Sequence, residues 1–331
     1  NNDINIFNPV FFVLAVIIIL QKRKTVLCYS ILFYHKFSVY QKRFFCNNEN
    51  MSFLSINNIS YTYPPVNGEI ETDENGNPII PKPIFDFFTA ELPGSFTSLI
   101  GPNGSGKSTF MLLAAGRIKP QQGNITLFDL DIANISEEKR NEAASFIYQN
   151  MEFEQDDPVE DLLKQVYENG YHSEERKATP DFYNEVIKVF ELENVLNHKL
   201  TGISKGEIQR VLLAFSILYG SKSIFMDEPM FAMEDRQKHT AMAFIKKYSK
   251  ENNVPVFIAM HELDLSRKYA DNVLLFYPDR RIDFGTPEEV LTKEALEDAY
   301  GVPAAMLRDT ENLNRNALKE ASEAMNDISK N

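Results

Sequence analysis

The chain has 331 residues, 44% hydrophobic and 24% charged, with a formal net charge of −13, the proportions of a soluble globular protein with room for one large or two modest domains. The charge is uneven: residues 1–50 carry 6 basic and 2 acidic side chains, which leaves 28 against 45, a net −17, from residue 51 onward. An acidic body disfavours general nucleic-acid binding, and because both cysteines, Cys28 and Cys46, lie in the first fifty residues, the body has neither disulfides nor thiolate metal sites, in keeping with a reducing cytoplasm.

The first fifty residues begin at Asn1 and are crowded with Asn, Ile, Phe, Tyr and Lys. The apolar run over residues 10–20 is short of the roughly twenty needed to span a bilayer. Asp3 precedes that run and Lys22, Arg23 and Lys24 follow it, the reverse of a secretory signal, though the flank would suit an anchor with its carboxyl side in the cytoplasm. A translated leader is the preferred reading and a membrane anchor the other. The ordered pattern starts at Met51, so residues 1–50 are expected to be an extension, non-native or disordered, that the fold does not need.

Residues 53–56 and 59–63 read as two strands, Pro64 and Pro65 break the pattern, and residues 66–83, with Asn67-Gly68 and Asn75-Gly76-Asn77-Pro78, read as an exposed loop. Tyr63 has two readings, strand packing or stacking on a purine ring, and residue type alone favours packing. Phe96, Leu99 and Ile100 then form a strand that runs into Gly101-Pro102-Asn103-Gly104-Ser105-Gly106-Lys107-Ser108-Thr109, with an apolar helix start behind it. These residues fit G-x-x-x-x-G-K-[ST]: glycines let successive backbone N–H groups turn inward around a phosphate, Lys107 reaches the β- and γ-phosphates, and the Ser108 hydroxyl is a natural Mg²⁺ ligand. The positive end of the following helix faces the same anion.

Beyond the loop, residues 123–128 and 145–149 read as strands, the second ending on Gln149. Between Asn150 and His198 the apolar spacing turns helical, as in Val159, Leu162, Leu163 and Val166, and again in Phe182, Val186, Val189 and Phe190. Ser204 and Gly206 open a further helix, where a serine and a glycine form either an anion site or an ordinary cap. The strand Ile224-Phe225-Met226 delivers Asp227-Glu228-Pro229 at its carboxyl end, where α/β sheets place ligands. Paired acids beside a phosphate loop divide their work, one holding Mg²⁺ and the other polarising the attacking water. Residues 254–260 form another strand, ending on His261 at the same edge, within reach of a γ-phosphate. His35, His172, His198 and His239 lack metal-like spacing and read as surface or packing residues. Thr286, Pro287 and Glu289 spell a capped helix, and residues 308–331 form a polar tail.

With five such elements in this order, the body from Met51 to about Leu307 resembles the nucleotide-binding subunit of ATP-binding cassette (ABC) transporters. The resemblance implies an α/β P-loop NTPase core, a mixed sheet flanked by helices, with an amino-terminal antiparallel β subdomain and an inserted helical subdomain. Residues 51–149 and 206–307 would form the catalytic core and residues 150–205 the insert. It implies ATP and Mg²⁺ as cofactors, Tyr63 stacking on adenine, Gln149 sensing Mg²⁺ and the attacking water, Asp227 as a metal ligand, Glu228 as catalytic base and His261 on the γ-phosphate. Ser204 and Gly206 would bind the nucleotide of a second, head-to-tail ATPase subunit. Two departures stand out: Lys205 and Glu207 occupy positions that are usually Gly and Gln, and Glu234 stands where an aspartate is usual. Residues 285–292 and 299–302 look like the carboxyl end of importers for iron–siderophore, haem and cobalamin complexes. That implies a peripheral place on the cytoplasmic face of a membrane, a separate permease and an extracytoplasmic substrate-binding protein. A soluble ABC ATPase of translation or DNA repair, and a non-hydrolysing regulator, are the competing classes; the single cassette and Glu228 speak against them.

Overall fold

The computed structural model describes residues 53–64, 81–149, 157–178, 180–303 and 306–307, and the expectations for residues 1–50, most of the 66–83 loop and the 308–331 tail lie outside them. In chain order, β1 (Leu54–Tyr61), β2 (Phe85–Leu92) and β3 (Phe96–Ile100) lead into α1 (Lys107–Ala114). β4 (Gln122–Leu127), β5 (Leu130–Asp131), α2 (Glu137–Ala143) and β6 (Ser145–Ile147) come next. Then come α3 (Val159–Asn169), α4 (Glu174–Lys177), α5 (Pro180–Val189) and α6 (Lys205–Tyr219). The last part is β7 (Ile224–Asp227), α7 (Asp235–Asn252), β8 (Val256–Ala259), α8 (Leu263–Tyr269), β9 (Asn272–Phe276), β10 (Ile282–Gly285), α9 (Pro287–Val290) and α10 (Lys293–Tyr300).

Six strands make the central sheet in the order β10-β9-β3-β8-β7-β6. All neighbouring pairs are parallel except β9 with β10, which are antiparallel. Every residue of β3, β7 and β8 is buried, which is why they show no polar alternation: a parallel sheet covered on both faces has no wet side to alternate with, and the Ser98 hydroxyl in β3 is paired with that of Ser266 at 2.7 Å. Crossovers between parallel strands need a helix, and the helical stretches supply it.

The second sheet is antiparallel, in the order β2-β1-β4-β5. The two strands expected at residues 53–56 and 59–63 are one strand, β1, whose register slips between Ile56 and Ile59 and again before Tyr61. Asn58 takes a left-handed φ of 51° at the slip, and across the ladder a Cβ on Gly123 would strike the carbonyl oxygens of Asn57 and Asn58. This is a β-bulge, which bends a strand without ending it; from sequence the polar Asn57-Asn58 pair mimics a turn.

Helices α3 and α5 pack on α6. Their apolar faces, among them Leu163 and Val186, with Phe190 just past α5, join Val211, Ile217, Met226 and Ile258 in one continuous core. The 150–205 insert is therefore not closed on itself: α6 is the wall it shares with the central sheet. Two of the histidines read as packing or surface residues are tied down: His172 is buried with Nε2 on the carbonyl of Ile217 at 2.8 Å, and burial lowers its pKa, so it sits neutral. His239 Nδ1 meets Tyr269 Oη at 3.1 Å.

Candidate active site

Register places the carboxyl ends of the parallel strands along one edge: Leu99 and Asp227 both align with Ala259, and Ile147 with Met226. The residues just past each strand meet there, namely the loop after β3, Gln149 after β6, Glu228 after β7 and His261 after β8. A cavity of about 340 Å³ opens at this edge, lined by Tyr63, Ile84, Asn103, Gly104, Gly106, Lys107, Ser108, Thr109, Gln149 and Glu228.

The loop's shape follows from its glycines. Gly101 has φ 147° and a Cβ there would run into the Phe276 carbonyl, so the close approach of loop to β9 admits no side chain. Gly104 and Gly106 are left-handed, at φ 73° and 111°, and Gly106 leads directly into α1. Lys107 is 5% exposed and its Nζ donates to the carbonyls of Gly101 (2.7 Å) and Pro102 (3.1 Å). Burial lowers its pKa, and the carboxylates of Glu228 and Asp227 pull it back up. The buried Ser105 hydroxyl has no hydrogen-bond partner; a phosphate oxygen held by the loop is the acceptor that such a donor calls for.

The two acids are set differently. Burial raises the pKa of Asp227, and a hydrogen bond from Ser108 opposes that rise. Glu228 is held below its ordinary value, chiefly by its hydrogen bond with His261. His261 Nε2 lies 2.9 Å from one carboxylate oxygen and Gln149 Nε2 donates to the other at 2.6 Å. With the carboxylate ionised, Nε2 is the protonated nitrogen of His261. Each oxygen keeps a second acceptor direction, enough to hold a water. Glu228 also sits at φ 49°, a left-handed conformation disfavoured for a side chain of this size and held here by the bond from its N–H to the Ala259 carbonyl at 3.0 Å.

Ser108, Gln149 and Asp227 offer a hydroxyl, an amide and a carboxylate, the oxygen donors a hard cation takes. Among the described residues no group of three or more His, Cys, Asp or Glu could hold a metal unaided, so a Mg²⁺ here would complete its shell with phosphate oxygens and water.

Tyr63 departs from the packing that residue type favoured. It is 45% exposed, its hydroxyl is 3.1 Å from Thr109 Oγ1, and Tyr61 braces it edge-on at 5.1 Å between centroids, an aromatic face at the cavity mouth. Ser204 and Gly206 do not line the cavity. Ser204 is the N-cap of α6, in a capping box with Glu207, whose carboxylate accepts from both the backbone N–H and the hydroxyl of Ser204 at 2.7 Å. Within this chain that serine makes the cap, and its hydroxyl stands at the exposed start of α6. Gly206 has its own reason: a Cβ would stand 2.8 Å from the Ala232 carbonyl. Glu234 likewise caps α7, with Gln237. Ile84 was not foreseen, since nothing in its local spacing ties it to a loop twenty residues on.

Residues 90–231 match the family described as ABC transporter. The chain is 30% identical over 203 residues to the putative HMP/thiamine import ATP-binding protein YkoD of Bacillus subtilis, covering 61% of this chain and 36% of that one. It is 27% identical over 227 residues to the hemin import ATP-binding protein HmuV of Escherichia coli O157:H7, covering 66% of this chain and 86% of the relative. Among solved structures, an ATP-binding subunit of an ABC transporter superposes with a TM-score of 0.60 at 20% identity, covering 78% of this chain and 99% of that one, a likeness of fold.

Proposed function

We propose that the chain carries the ATPase domain of the ABC transporter family, whose pattern residues 90–231 match, and that it powers import through a separate permease, with an iron–siderophore, haem or cobalamin complex as the solute. The observation that carries the ATPase reading to particular residues is the Glu228 carboxylate held between Gln149 and His261 beside the Lys107 loop.

Each residue then has a part in phosphoryl transfer. The loop amides, the start of α1 and Lys107 bind the β- and γ-phosphates and take up charge that grows on their oxygens in the transition state. Tyr63 gives the adenine a flat face. Glu228 orients a water in line with the γ-phosphate and receives its proton. His261 and Gln149 aim that carboxylate, and His261 presents a donor toward the γ-phosphate. Ser108, Asp227 and Gln149 would hold a Mg²⁺, which would supply charge neutralisation for the phosphates. Ser204 and Gly206 serve the nucleotide of a second subunit, with Lys205, Glu207 and Glu234 as this chain's own variation on that interface. His261→Ala should lower kcat by about 100-fold while Mg-ATP affinity stays within about threefold, measured by phosphate release and calorimetry. Turnover close to that of the unaltered protein would remove His261 from the site.

No helix among the described residues is long and apolar enough to cross a membrane; in this reading the permease is a separate chain and this subunit works on its cytoplasmic face. Its contact is the groove between the 150–205 insert and β6. β6 is the outermost strand of the central sheet, and Tyr148, just past it, is 43% exposed and packed on Phe146, an aromatic step suited to a short amphipathic helix. Support for the solute class comes from the hemin import relative; the thiamine-named relative points elsewhere, and the capped α9, where Thr286 N–H donates to Glu289 at 2.9 Å, accounts for those residues without reference to a solute. In cells lacking the gene, uptake of labelled ferric siderophore, haem or cobalamin should fall to background. If all three enter normally while another solute is lost, the solute class is wrong and the ATPase assignment stands.

A further inference from the structure

The turn between β9 and β10 puts a second cation on the phosphate loop. Arg280 Nη1 donates to the Gly104 carbonyl at 2.6 Å and lies 3.8 Å from where a Cβ of Gly106 would be. Its backbone is left-handed, at φ 72°, a conformation that costs a residue with a Cβ and persists where its surroundings enforce it. Here they do: the Arg280 N–H bonds the Tyr277 carbonyl at 3.1 Å, and the Tyr277 N–H bonds the Arg281 carbonyl at 2.9 Å. Arg281 is occupied elsewhere, bonded to Asp279 (2.6 Å) and Asp298 (2.8 Å) and stacked on the Tyr277 ring. The two neighbouring arginines thus have different jobs. Arg281 locks the turn to α10, while Arg280 pairs with no carboxylate among the described residues and spends its charge on the loop.

We propose that Arg280 is a positioning residue for the nucleotide, clamping the phosphate loop from outside the cavity; this rests on the ATPase reading above. Gly104 C=O and Ser105 N–H belong to one peptide group, so a cation on the oxygen makes the N–H a stronger donor. That N–H closes the turn onto the Pro102 carbonyl through a long, 3.3 Å bond, the weakest tie in the loop's first half and the one that most needs strengthening. The guanidinium also adds positive potential beside an anion site in a body of net charge −17.

The test uses the full chain and its Arg280→Ala, Arg280→Lys and Arg280→Gly variants. Three quantities are compared: Mg-ATP affinity by calorimetry, kcat and KM by phosphate release, and the melting temperature without nucleotide. Arg280→Ala and Arg280→Gly should each weaken Mg-ATP binding and raise KM by about 5- to 10-fold, with kcat changed less than about twofold, and Arg280→Lys should fall between. Arg280→Gly should melt no lower than the unaltered protein, because glycine takes the left-handed turn without strain. Weaker binding without lost stability is the signature that a merely structural arginine would not give. Unchanged affinity in Arg280→Gly overturns the proposal, as does a loss of affinity that only follows a lower melting temperature in all three variants. If the unaltered chain itself fails to bind Mg-ATP, the ATPase reading falls and this inference with it; if it binds and only the variants fail to differ, this inference alone is wrong.

Discussion

Glu228→Gln should bind Mg-ATP as tightly as the unaltered protein and hydrolyse it about 1000-fold more slowly. The substitution keeps shape and one acceptor oxygen but removes the base that takes the proton of the attacking water. The structure sharpens this expectation. Glu228 is held low in pKa by His261, so it is ionised throughout the neutral range, and both of its oxygens are aimed by donors from other strands. An amide in its place would turn an N–H toward either Gln149 or His261, so the Gln149 amide would have to flip or the His261 tautomer change, and one of the acceptor oxygens facing the water would be lost along with the base. Phosphate release and ATP calorimetry on the same sample are the measurements. With turnover blocked, ATP should hold two subunits together, visible as a dimer on size exclusion. Turnover within about tenfold of the unaltered protein would mean that the base lies elsewhere.

Lys107→Ala should lose nucleotide binding, by at least about 100-fold in affinity. The ammonium is the one fully charged donor in a cradle whose other donors are amides and hydroxyls, and it is 5% exposed, where little solvent screens it. It does a second thing that its motif does not reveal. By bonding the carbonyls of Gly101 and Pro102 it ties the loop's end to its beginning, so the alanine variant loses both a ligand contact and loop shape. Lys107→Met also loses both carbonyl bonds but keeps the buried stem, so it separates lost packing from the lost ammonium. Calorimetry should show both variants deficient, with the methionine variant keeping its melting temperature. Unchanged ATP affinity in Lys107→Met would refute the assignment of this loop.

Legibility in the sequence followed the range of the interaction. The phosphate loop, the Thr286 cap and the buried strands at residues 224–227 and 256–259 are visible because their cause lies within a few residues: a glycine where φ is positive, a serine or threonine where a helix begins, an apolar run where a sheet is covered on both faces. The same locality misled at Asn57-Asn58, where a bulge looks like a turn, and it left Tyr63 open, since the Thr109 hydroxyl that it meets is 46 residues away. Ser204 stayed open between a cap and an anion site because both use the same residues; the chain by itself shows the capping box with Glu207, and a second subunit's nucleotide lies beyond any local signal.

The residue types proposed for the chemistry are legible in the chain because motif spacing is a local property, and the fold class followed from the family that those motifs resemble. Which of the groups meet is a matter of tertiary structure. Gln149 and His261 reach Glu228 across 79 and 33 residues of chain, brought together by the order β8-β7-β6 and a parallel register in which Asp227 stands beside Ala259 and Met226 beside Ile147. Arg280 reaches Gly104 across 176 residues because β9 lies next to β3. Strand order is set by how a whole chain buries its apolar faces at once, and no window of sequence around Arg280 contains that information.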